Sequence, residues 1–232
     1  MPTNSLRLLG SITISGNTFI PKKNQLTCLS PMYSDHIRYI YLMLKKFQRF
    51  WFSCLRRKSG VSQKFSRPTN LTKVIFFDRD NTLIEDAGYT YKVTEFKIIS
   101  RNLPYLIKLK QAGWTFFIVT NQSAVARNYC SAKEVMNFNN YLEEQFRNEG
   151  IEFSEIVFCP HLRFCYCRKP KPGMLEYLIK EYSLDKDHTF MLGDSPKDIQ
   201  AAESASIRAS ILNESTYISV FSTLLESNYD NC

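Results

Sequence analysis

Two carboxylates separated by one residue, Asp78 and Asp80, stand directly after the short apolar run Val74–Phe77. If that run is a strand, side chains at positions i and i+2 leave it in the same direction. Such a pair can hold a divalent cation through oxygen ligands and still present both carboxylates to a substrate. An isolated Asp-x-Asp is common in turns, so the pair gains weight only from the groups that accompany it elsewhere in the chain.

Three further apolar runs also precede groups suited to phosphate chemistry. Thr120 and Asn121 follow the second run and offer hydroxyl and amide groups to phosphate oxygens. Arg168 and Lys169 lie after the third run and bring fixed positive charge, and Asp194 follows the fourth. Ligands of parallel α/β sheets bind beyond the carboxyl ends of the strands. Acid, hydroxyl, base and acid are therefore predicted to meet at one edge of a sheet.

Four side chains that bind metals fall within nine residues after the third run: Cys159, His161, Cys165 and Cys167. Three thiols and one imidazole form a closed ligand set that suits structural Zn²⁺. The alternative is a group of buried free thiols beside a surface histidine. Three of the chain's seven cysteines and one of its three histidines lie here, which favours the metal. The other cysteines show no disulfide framework, which favours a reducing compartment.

The elements that must position these groups alternate from residue 74 onward. Five apolar runs are predicted as strands: Val74–Phe77, Thr115–Val119, Glu155–Phe158, Thr189–Leu192 and Arg208–Leu212. Leucines and aromatic residues recur at helical spacing over 103–109, 135–146 and 175–182. Continuous apolar strands separated by amphipathic helices are typical of a parallel sheet covered on both faces. The predicted fold class is α/β.

Charge divides the chain into two regions. Residues 1–73 carry 13 basic residues and one acidic residue, a net charge of +12, and this leaves 17 basic and 21 acidic residues in 74–232, a net charge of −4. The overall charge of +8 therefore describes neither region and is weak evidence for nucleic-acid binding. The contents of 44% hydrophobic, 14% aromatic and 22% charged residues exclude collagen-like, coiled-coil and wholly disordered chains.

The leader, residues 1–73, is predicted to contain an amphipathic helix over about 33–58 and then a linker, followed by a catalytic domain over 74–232. Apolar residues of that helix face one side and basic residues the other. Four interpretations stay open: peripheral membrane or protein docking, packing on the following domain, an organellar transit peptide, and translation that begins downstream, for instance at Met32. No apolar run reaches the roughly 18 residues of a membrane-spanning helix. A cytoplasmic location is expected.

Four motifs in order resemble those of the haloacid-dehalogenase-like phosphatases: Asp78-x-Asp80-x-Thr82, Thr120, Lys169, and Gly193-Asp194 with Asp198. Within that superfamily, Thr120–Arg127 and Cys159–Met174 are similar to the D-glycero-D-manno-heptose-1,7-bisphosphate 7-phosphatases, with the histidinol-phosphate phosphatases as relatives. The resemblance covers residues 74–211. It implies a Rossmann-like haloacid-dehalogenase fold with helices on both faces of a parallel sheet, a zinc loop and no large cap domain.

The resemblance also implies a role for each site residue. Asp78 is the expected nucleophile, which forms an aspartyl-phosphate, and Asp80 is the expected general acid and then base. Substrate is expected to contact four residues: Thr120, Asn121, Arg168 and Lys169. Mg²⁺ is expected on Asp78, the Asp80 carbonyl and Asp194, and Zn²⁺ on Cys159, His161, Cys165 and Cys167. Asp198 is expected to support the metal site, to orient Lys169 or to cap a helix.

The function implied is a Mg²⁺-dependent phosphomonoesterase acting on a sugar phosphate, first of all a heptose 1,7-bisphosphate. Histidinol-phosphate phosphatase is the alternative within the same chemistry. A nucleic-acid 3′-phosphatase, whose leader would grip the phosphate backbone, is less expected, and so is a catalytically inactive binding module. The expected partner is a small-molecule phosphate ester rather than nucleic acid, and the expected state is a monomer.

Four positions depart from the glycines of the heptose enzymes: Asn81, Ala124, Asn128 and Ser206. Asparagine adopts left-handed backbone angles more readily than alanine or serine. We therefore expect local backbone shifts at Ala124 and Ser206. The zinc loop is also shorter than usual between His161 and Cys165. Because that loop is expected to face the substrate, these departures bear on specificity rather than on the reaction.

Overall fold

The computed structural model describes residues 73–226. The predicted leader helix over 33–58, most of the linker and residues 227–232 lie outside the described residues. Within 73–226, no helix is both long enough and apolar enough to cross a membrane.

Five parallel strands form one sheet in the spatial order β3-β2-β1-β4-β5. Their bounds are β1 Val74–Phe77, β2 Thr115–Asn121, β3 Phe153–Cys159, β4 Thr189–Gly193 and β5 Arg208–Ile211. The predicted parallel α/β sheet is confirmed, and β2 and β3 run further than predicted. The extension of β2 includes Thr120 and Asn121, so these two residues are the last two of the strand rather than the first two after it.

Five helices connect or flank the strands: α1 Leu103–Gln111, α2 Ala132–Asn148, α3 Gly173–Tyr182, α4 Pro196–Ala205 and α5 Tyr217–Glu226. The first three occupy the predicted intervals. The strand-and-helix pattern did not single out α4 and α5. The buried face of α4 consists largely of alanines at 201, 202 and 205, which give little contrast between an apolar and a polar side.

The central strand β1 is buried along its whole length and separates two packed layers. On one face, Ile75 and Phe77 belong to the main core together with side chains of α1, α2 and α5. On the other face, Phe76 packs against Phe117, which in turn meets the ring of Tyr182 in α3. Helices therefore cover both faces of the sheet, as predicted, and only its ends remain open for a ligand.

The segment between β1 and α1 forms a small flap over the sheet end instead of a separate domain. Ile84 bridges Ile98 in antiparallel fashion, and the Glu85 N–H donates to the Lys97 carbonyl at 2.9 Å. Among residues 73–226, no inserted cap domain interrupts the alternation of strands and helices.

Three of the four residues that stand where glycines were expected have a left-handed backbone. Asn81, Asn128 and Ser206 have φ values of 55°, 58° and 59°. Ala124 is not among the residues with positive φ and lies fully buried beside Cys130. Ser206 adopts the left-handed conformation as the residue that caps the end of α4, and the backbone shift expected at this position stays a prediction.

Candidate active site

Asp78 begins the site at the carboxyl end of β1. Its main-chain N–H donates to the Leu192 carbonyl at 2.8 Å, which continues the β1–β4 pairing by one residue. Its side-chain Oδ1 accepts from the N–H of Arg79 at 2.7 Å. The carboxylate is therefore fixed by the strand and by the first peptide of the turn that follows.

Lys169 lies against this carboxylate, although it is 91 residues further along the chain. Its Nζ is 2.9 Å from Asp78 Oδ1 and 2.6 Å from Asp198 Oδ1, and it donates to the Val119 carbonyl at 2.8 Å. Its side chain is only 2% exposed. Burial alone would lower the pKa of Lys169, but the two carboxylates outweigh burial and raise that pKa. The ammonium group is thus charged at neutral pH.

Asp198 has two of the three roles expected for it. Its Oδ1 pairs with Lys169, while its Oδ2 accepts from the Ser195 N–H at 3.1 Å and from Ser195 Oγ at 3.2 Å. Ser195 and Asp198 form the capping box that begins α4. Gly193 allows this arrangement, because a Cβ at that position would lie 2.3 Å from Asp198 Cγ. The end of β4 therefore requires glycine.

Three carboxylates converge beside Lys169: Asp78, Asp194 and Asp198 have oxygens within 4.8 Å of one another. Burial, helped by the charge of Asp198 and opposed by Lys169, raises the pKa of Asp78 from 3.8 to about 6. Burial and Asp198 also raise the pKa of Asp194, against a hydrogen bond from Asn81. The positive charge of one lysine does not neutralise three carboxylates. Mg²⁺ prefers oxygen ligands, so a group of carboxylates of this kind fits that ion. Asp198 itself is already engaged by Lys169 and Ser195.

Asp80 stands on the other side of the turn and is held by side chains that the sequence analysis did not single out. The Arg79 guanidinium contacts both its oxygens, with Nη2 at 2.8 Å from Oδ1 and 3.1 Å from Oδ2. Gln122 Nε2 donates to Oδ2 at 2.8 Å and to Thr120 Oγ1 at 2.9 Å. Both residues lie inside predicted motifs, but their burial and their contacts with Asp80 have no signature in a single sequence.

Thr120 and Asn121, the two polar residues at the end of β2, contact different parts of the site. Thr120 is buried, with its Oγ1 3.4 Å from Asp80 Oδ2, and so lies at the centre of the site. Asn121 uses both ends of its carboxamide on the backbone of Lys169: Nδ2 donates to the Lys169 carbonyl and Oδ1 accepts from its N–H, each at 3.0 Å. Asn121 thus holds the Lys169 peptide, and its contact with substrate stays a prediction.

The predicted zinc ligands come together at the carboxyl end of β3. Cys159 Sγ lies 3.1 Å from Cys167 Sγ and 3.6 Å from Cys165 Sγ, and His161 Nδ1 is 3.3 Å from Cys167 Sγ. Four ligands around one tetrahedral Zn²⁺, with Zn–S bonds of about 2.3 Å, are separated by roughly 3.5–3.8 Å. The cluster therefore fits a single zinc ion after small adjustments.

The electrostatics of these thiols point the same way. The Cys167 thiol donates a hydrogen bond to Cys159, which lowers the pKa of Cys159 to about 6, and the same contact raises the pKa of Cys167. The cluster therefore favours one thiolate already and would gain by ionising further around a cation. The same loop holds Arg168, whose Nη1 donates to the His161 carbonyl at 3.1 Å. A metal bound here would fix Arg168 beside Lys169.

The family model of the polynucleotide kinase 3 phosphatases matches residues 73–210. That range contains every residue of the site just described. The chain belongs to this family of haloacid-dehalogenase-like phosphatases. The match ends within β5, and the leader lies outside it.

Relatives within the family carry a more specific name. The D-glycero-beta-D-manno-heptose-1,7-bisphosphate 7-phosphatase of Pasteurella multocida is 36% identical over 150 residues, which span 61% of this chain and 82% of that protein. The D-glycero-alpha-D-manno-heptose-1,7-bisphosphate 7-phosphatase of Photorhabdus laumondii is 34% identical over 147 residues, or 60% of this chain and 80% of that protein. The crystal structure of the D,D-heptose 1,7-bisphosphate phosphatase of B. bronchiseptica, complexed with magnesium and phosphate, aligns with a TM-score of 0.55 at 31% identity over 59% of this chain and 78% of that one.

Proposed function

We propose that the protein is a Mg²⁺-dependent phosphomonoesterase that removes a phosphate from a sugar phosphate. The leading candidate substrate is D-glycero-D-manno-heptose 1,7-bisphosphate. The observation that carries the proposal is the contact of buried Lys169 with Asp78, 2.9 Å apart, beside the second carboxylate Asp80. A carboxylate nucleophile needs a fixed cation of this kind to meet an anionic phosphate. The named relatives supply the substrate class.

Asp78 acts as the nucleophile in the first half of the reaction. One of its oxygens attacks phosphorus, the P–O bond to the sugar breaks, and Asp80 gives its proton to the departing alkoxide. Asp80 is then ionised and takes a proton from water. The oxygen of that water attacks phosphorus, which breaks the aspartyl-phosphate bond and releases inorganic phosphate. Lys169 and the Thr120 hydroxyl hold the phosphoryl oxygens during both steps.

Asp78, Asp194 and the Asp80 carbonyl are the groups that would hold Mg²⁺. When bound, the ion supplies positive charge that offsets the repulsion between the carboxylate nucleophile and the phosphate. The convergence of three carboxylates on a single lysine supports this assignment.

Cys159, His161, Cys165 and Cys167 are proposed to hold a structural Zn²⁺. Its contribution is to order the loop that carries Arg168, through the contact of Arg168 with the His161 carbonyl. Arg168 then faces the part of the substrate beyond the transferred phosphate. With no cap domain among residues 73–226, this loop and the flap after β1 are the segments that surround a small substrate.

Phosphate release by the full chain with Mg²⁺ tests the proposal. The substrates are the two anomers of heptose 1,7-bisphosphate, histidinol phosphate and an oligonucleotide with a 3′-phosphate. We expect selective turnover of one heptose anomer, and none by the Asp78→Asn variant. Selective turnover of histidinol phosphate would transfer the assignment to that ester, and an Asp78→Asn variant with normal turnover would overturn the mechanism.

A nucleic-acid 3′-phosphatase is the second candidate, and two observations favour it: the name of the family model and the charge of +12 on residues 1–73. Turnover of the oligonucleotide that falls steeply with salt would establish it. The Cys/His cluster beside Arg168 favours the small substrate, since a site for strand ends has no evident need of a zinc-ordered loop.

We further propose a cytoplasmic monomer in which residues 74–232 form the phosphatase domain and residues 1–73 a separate leader. For the leader, docking through residues 33–58, packing on the domain, transit to an organelle and a downstream start remain alternative hypotheses. The size of the mature protein in its own cells separates the last two from the first two. Co-sedimentation of the full chain with anionic vesicles then tests docking on a membrane.

A further inference from the structure

Arg79, which separates the two catalytic carboxylates in sequence, has an unusual environment for its type. Its side chain is fully buried, whereas arginines are seldom buried without a charged partner. That partner is Asp80: Nε lies 3.0 Å from Oδ1, and Nη2 contacts both oxygens. The mechanism proposed above makes no use of this cation.

The guanidinium group is anchored on its remaining sides. Nη1 donates to Asn139 Oδ1 in α2 at 2.9 Å, and Nη2 donates to the Thr90 carbonyl at 2.6 Å. The ring of Phe138 lies under it, with 4.8 Å between Cζ and the ring centroid. A helix, a loop and an aromatic face therefore determine where the guanidinium sits, independently of Asp80.

A planar guanidinium that contacts both oxygens of a carboxylate fixes the rotation of that carboxylate as well as its place. The side chain of Asp80 is 20% exposed, so its outer part reaches the site while its inner part is held. Gln122 adds a further hydrogen bond to Oδ2. Proton transfer needs this orientation, because the donor oxygen must point at the leaving group within hydrogen-bond reach.

We propose that Arg79 is a positioning residue that holds Asp80 in the orientation for proton transfer, with Asn139 as its anchor on α2. The role rests on the proposed phosphatase function. The guanidinium of Arg79 is engaged by Asp80, Asn139 and the Thr90 carbonyl, whereas Asp78 and Lys169 contact each other without it. Its loss is therefore expected to impair the two proton transfers by Asp80 and to spare the attack by Asp78.

Esters with different leaving groups separate these steps. A sugar phosphate needs a proton on its departing alkoxide, whereas p-nitrophenyl phosphate does not. In the Arg79→Lys variant we expect kcat for the sugar phosphate to fall about 100-fold, the lower end of what a general acid–base contributes, with little change in KM. With p-nitrophenyl phosphate we expect a rapid burst of one p-nitrophenolate per active site, followed by slow turnover. The Asp80→Asn variant is expected to give the same signature.

Asn139→Ala removes the anchor without touching Asp80 and is the second variant, decisive by itself if Arg79→Lys does not fold. It should show the same pattern in weaker form, and the exposed neighbour Asn140→Ala is the matched control with wild-type kinetics. With p-nitrophenyl phosphate, loss of the burst, or a burst amplitude that falls with kcat, would indicate a merely structural role and overturn the proposal. A wild-type protein that hydrolyses neither ester would overturn the phosphatase assignment itself, and this role with it.

Discussion

Asp78 combines two demands that oppose each other, since it must be ionised to attack phosphorus and yet is buried among other carboxylates. Only 15% of its side chain is exposed, and Asp194 and Asp198 lie within 4.8 Å. Burial raises the pKa of Asp78 from 3.8 to about 6, so the ionised carboxylate destabilises the folded protein. The reactive residue of the site is therefore also a source of instability when no cation is bound.

The Asp78→Asn variant is accordingly expected to be inactive and more stable. Because the folded-state pKa of Asp78 lies above its unfolded value, the wild type loses stability as pH rises from about 4 to 6, and the penalty is fully present above pH 6. Asparagine avoids it, so the variant should gain about 3 kcal/mol in free energy of unfolding at pH 8. Thermal melts in a chelator at pH 5 and pH 8 measure this, and the gain should shrink at pH 5. A gain independent of pH would contradict the argument.

The residues that form the chemical motifs can be predicted from the sequence, whereas the residues that orient their side chains cannot. Asp78, Asp80, Lys169 and Asp194 follow strand ends in a recognisable order, and the structure brings all four to one edge of the sheet. Arg79 acts on another protein side chain instead of the substrate, so its type and spacing carry no chemical signature. Its importance rests on complete burial, which depends on packing from segments far apart in the chain.

At the scale of elements, the loop after β3 connects the Cys/His cluster to the basic residues of the proposed site. Arg168 donates to the carbonyl of His161, and Lys171 Nζ donates to the carbonyl of Cys165 at 2.9 Å. The backbone of the ligand residues thus positions the basic residues. Without a metal, three thiols and an imidazole remain crowded at hydrogen-bond distance with nothing to neutralise them as they ionise.

Loss of the proposed zinc should therefore reduce activity without touching the catalytic carboxylates. We expect one zinc per chain by elemental analysis of the wild type, and less than a tenth of that in Cys165→Ser. Disorder at Arg168 should raise KM for the sugar phosphate more than it lowers kcat. Cys130→Ser is the matched control, since Cys130 is also a buried free cysteine but lies outside the cluster. Full zinc content in Cys165→Ser would contradict the ligand assignment.

The end of α4 provides a test that involves stability alone. Ser206 caps this helix with φ 59° and ψ 47°, a conformation that costs an L-residue about 1–2 kcal/mol. Ser206→Gly should therefore stabilise the protein by roughly 0.5–1 kcal/mol after the added chain entropy of glycine is counted. Denaturant unfolding measures the change, and activity should stay at the wild-type level.

The matched control for this substitution is Ser204→Gly in the same helix. Ser204 is exposed and helical, so glycine there should lower the free energy of unfolding by about 0.5 kcal/mol. If the two substitutions change the free energy of unfolding in the same direction, backbone strain at Ser206 does not decide the effect of glycine there.

At the scale of the whole molecule, the charge of the two regions decides how salt should affect activity. The site lies within residues 74–232, whose net charge is −4, while residues 1–73 carry +12. In the proposed function, the positive charges that bind a small substrate are those of Lys169 and Arg168, which are buried and half-buried. We expect long-range attraction by residues 1–73 to affect a polyanion more than a small substrate.

We therefore expect kcat/KM of the full chain for heptose bisphosphate to fall less than about tenfold between roughly 50 and 200 mM salt. An oligonucleotide held by six or more phosphate contacts would lose about a thousandfold or more over the same range. The two curves are measured with the same preparation. A steep curve for the small substrate would mean that the leader takes part in binding it.

Asp198 connects the beginning of helix α4 to the lysine of the site. Its Oδ2 holds the first turn of α4, and its Oδ1 holds the ammonium group of Lys169. Fraying of that helix end, which elsewhere is a harmless local fluctuation, would here release the lysine that faces the nucleophile. The hydrogen-bonded amides of Ser195 and Asp198 should thus exchange about as slowly as those of the central strands, and no partly opened form of the protein should retain activity.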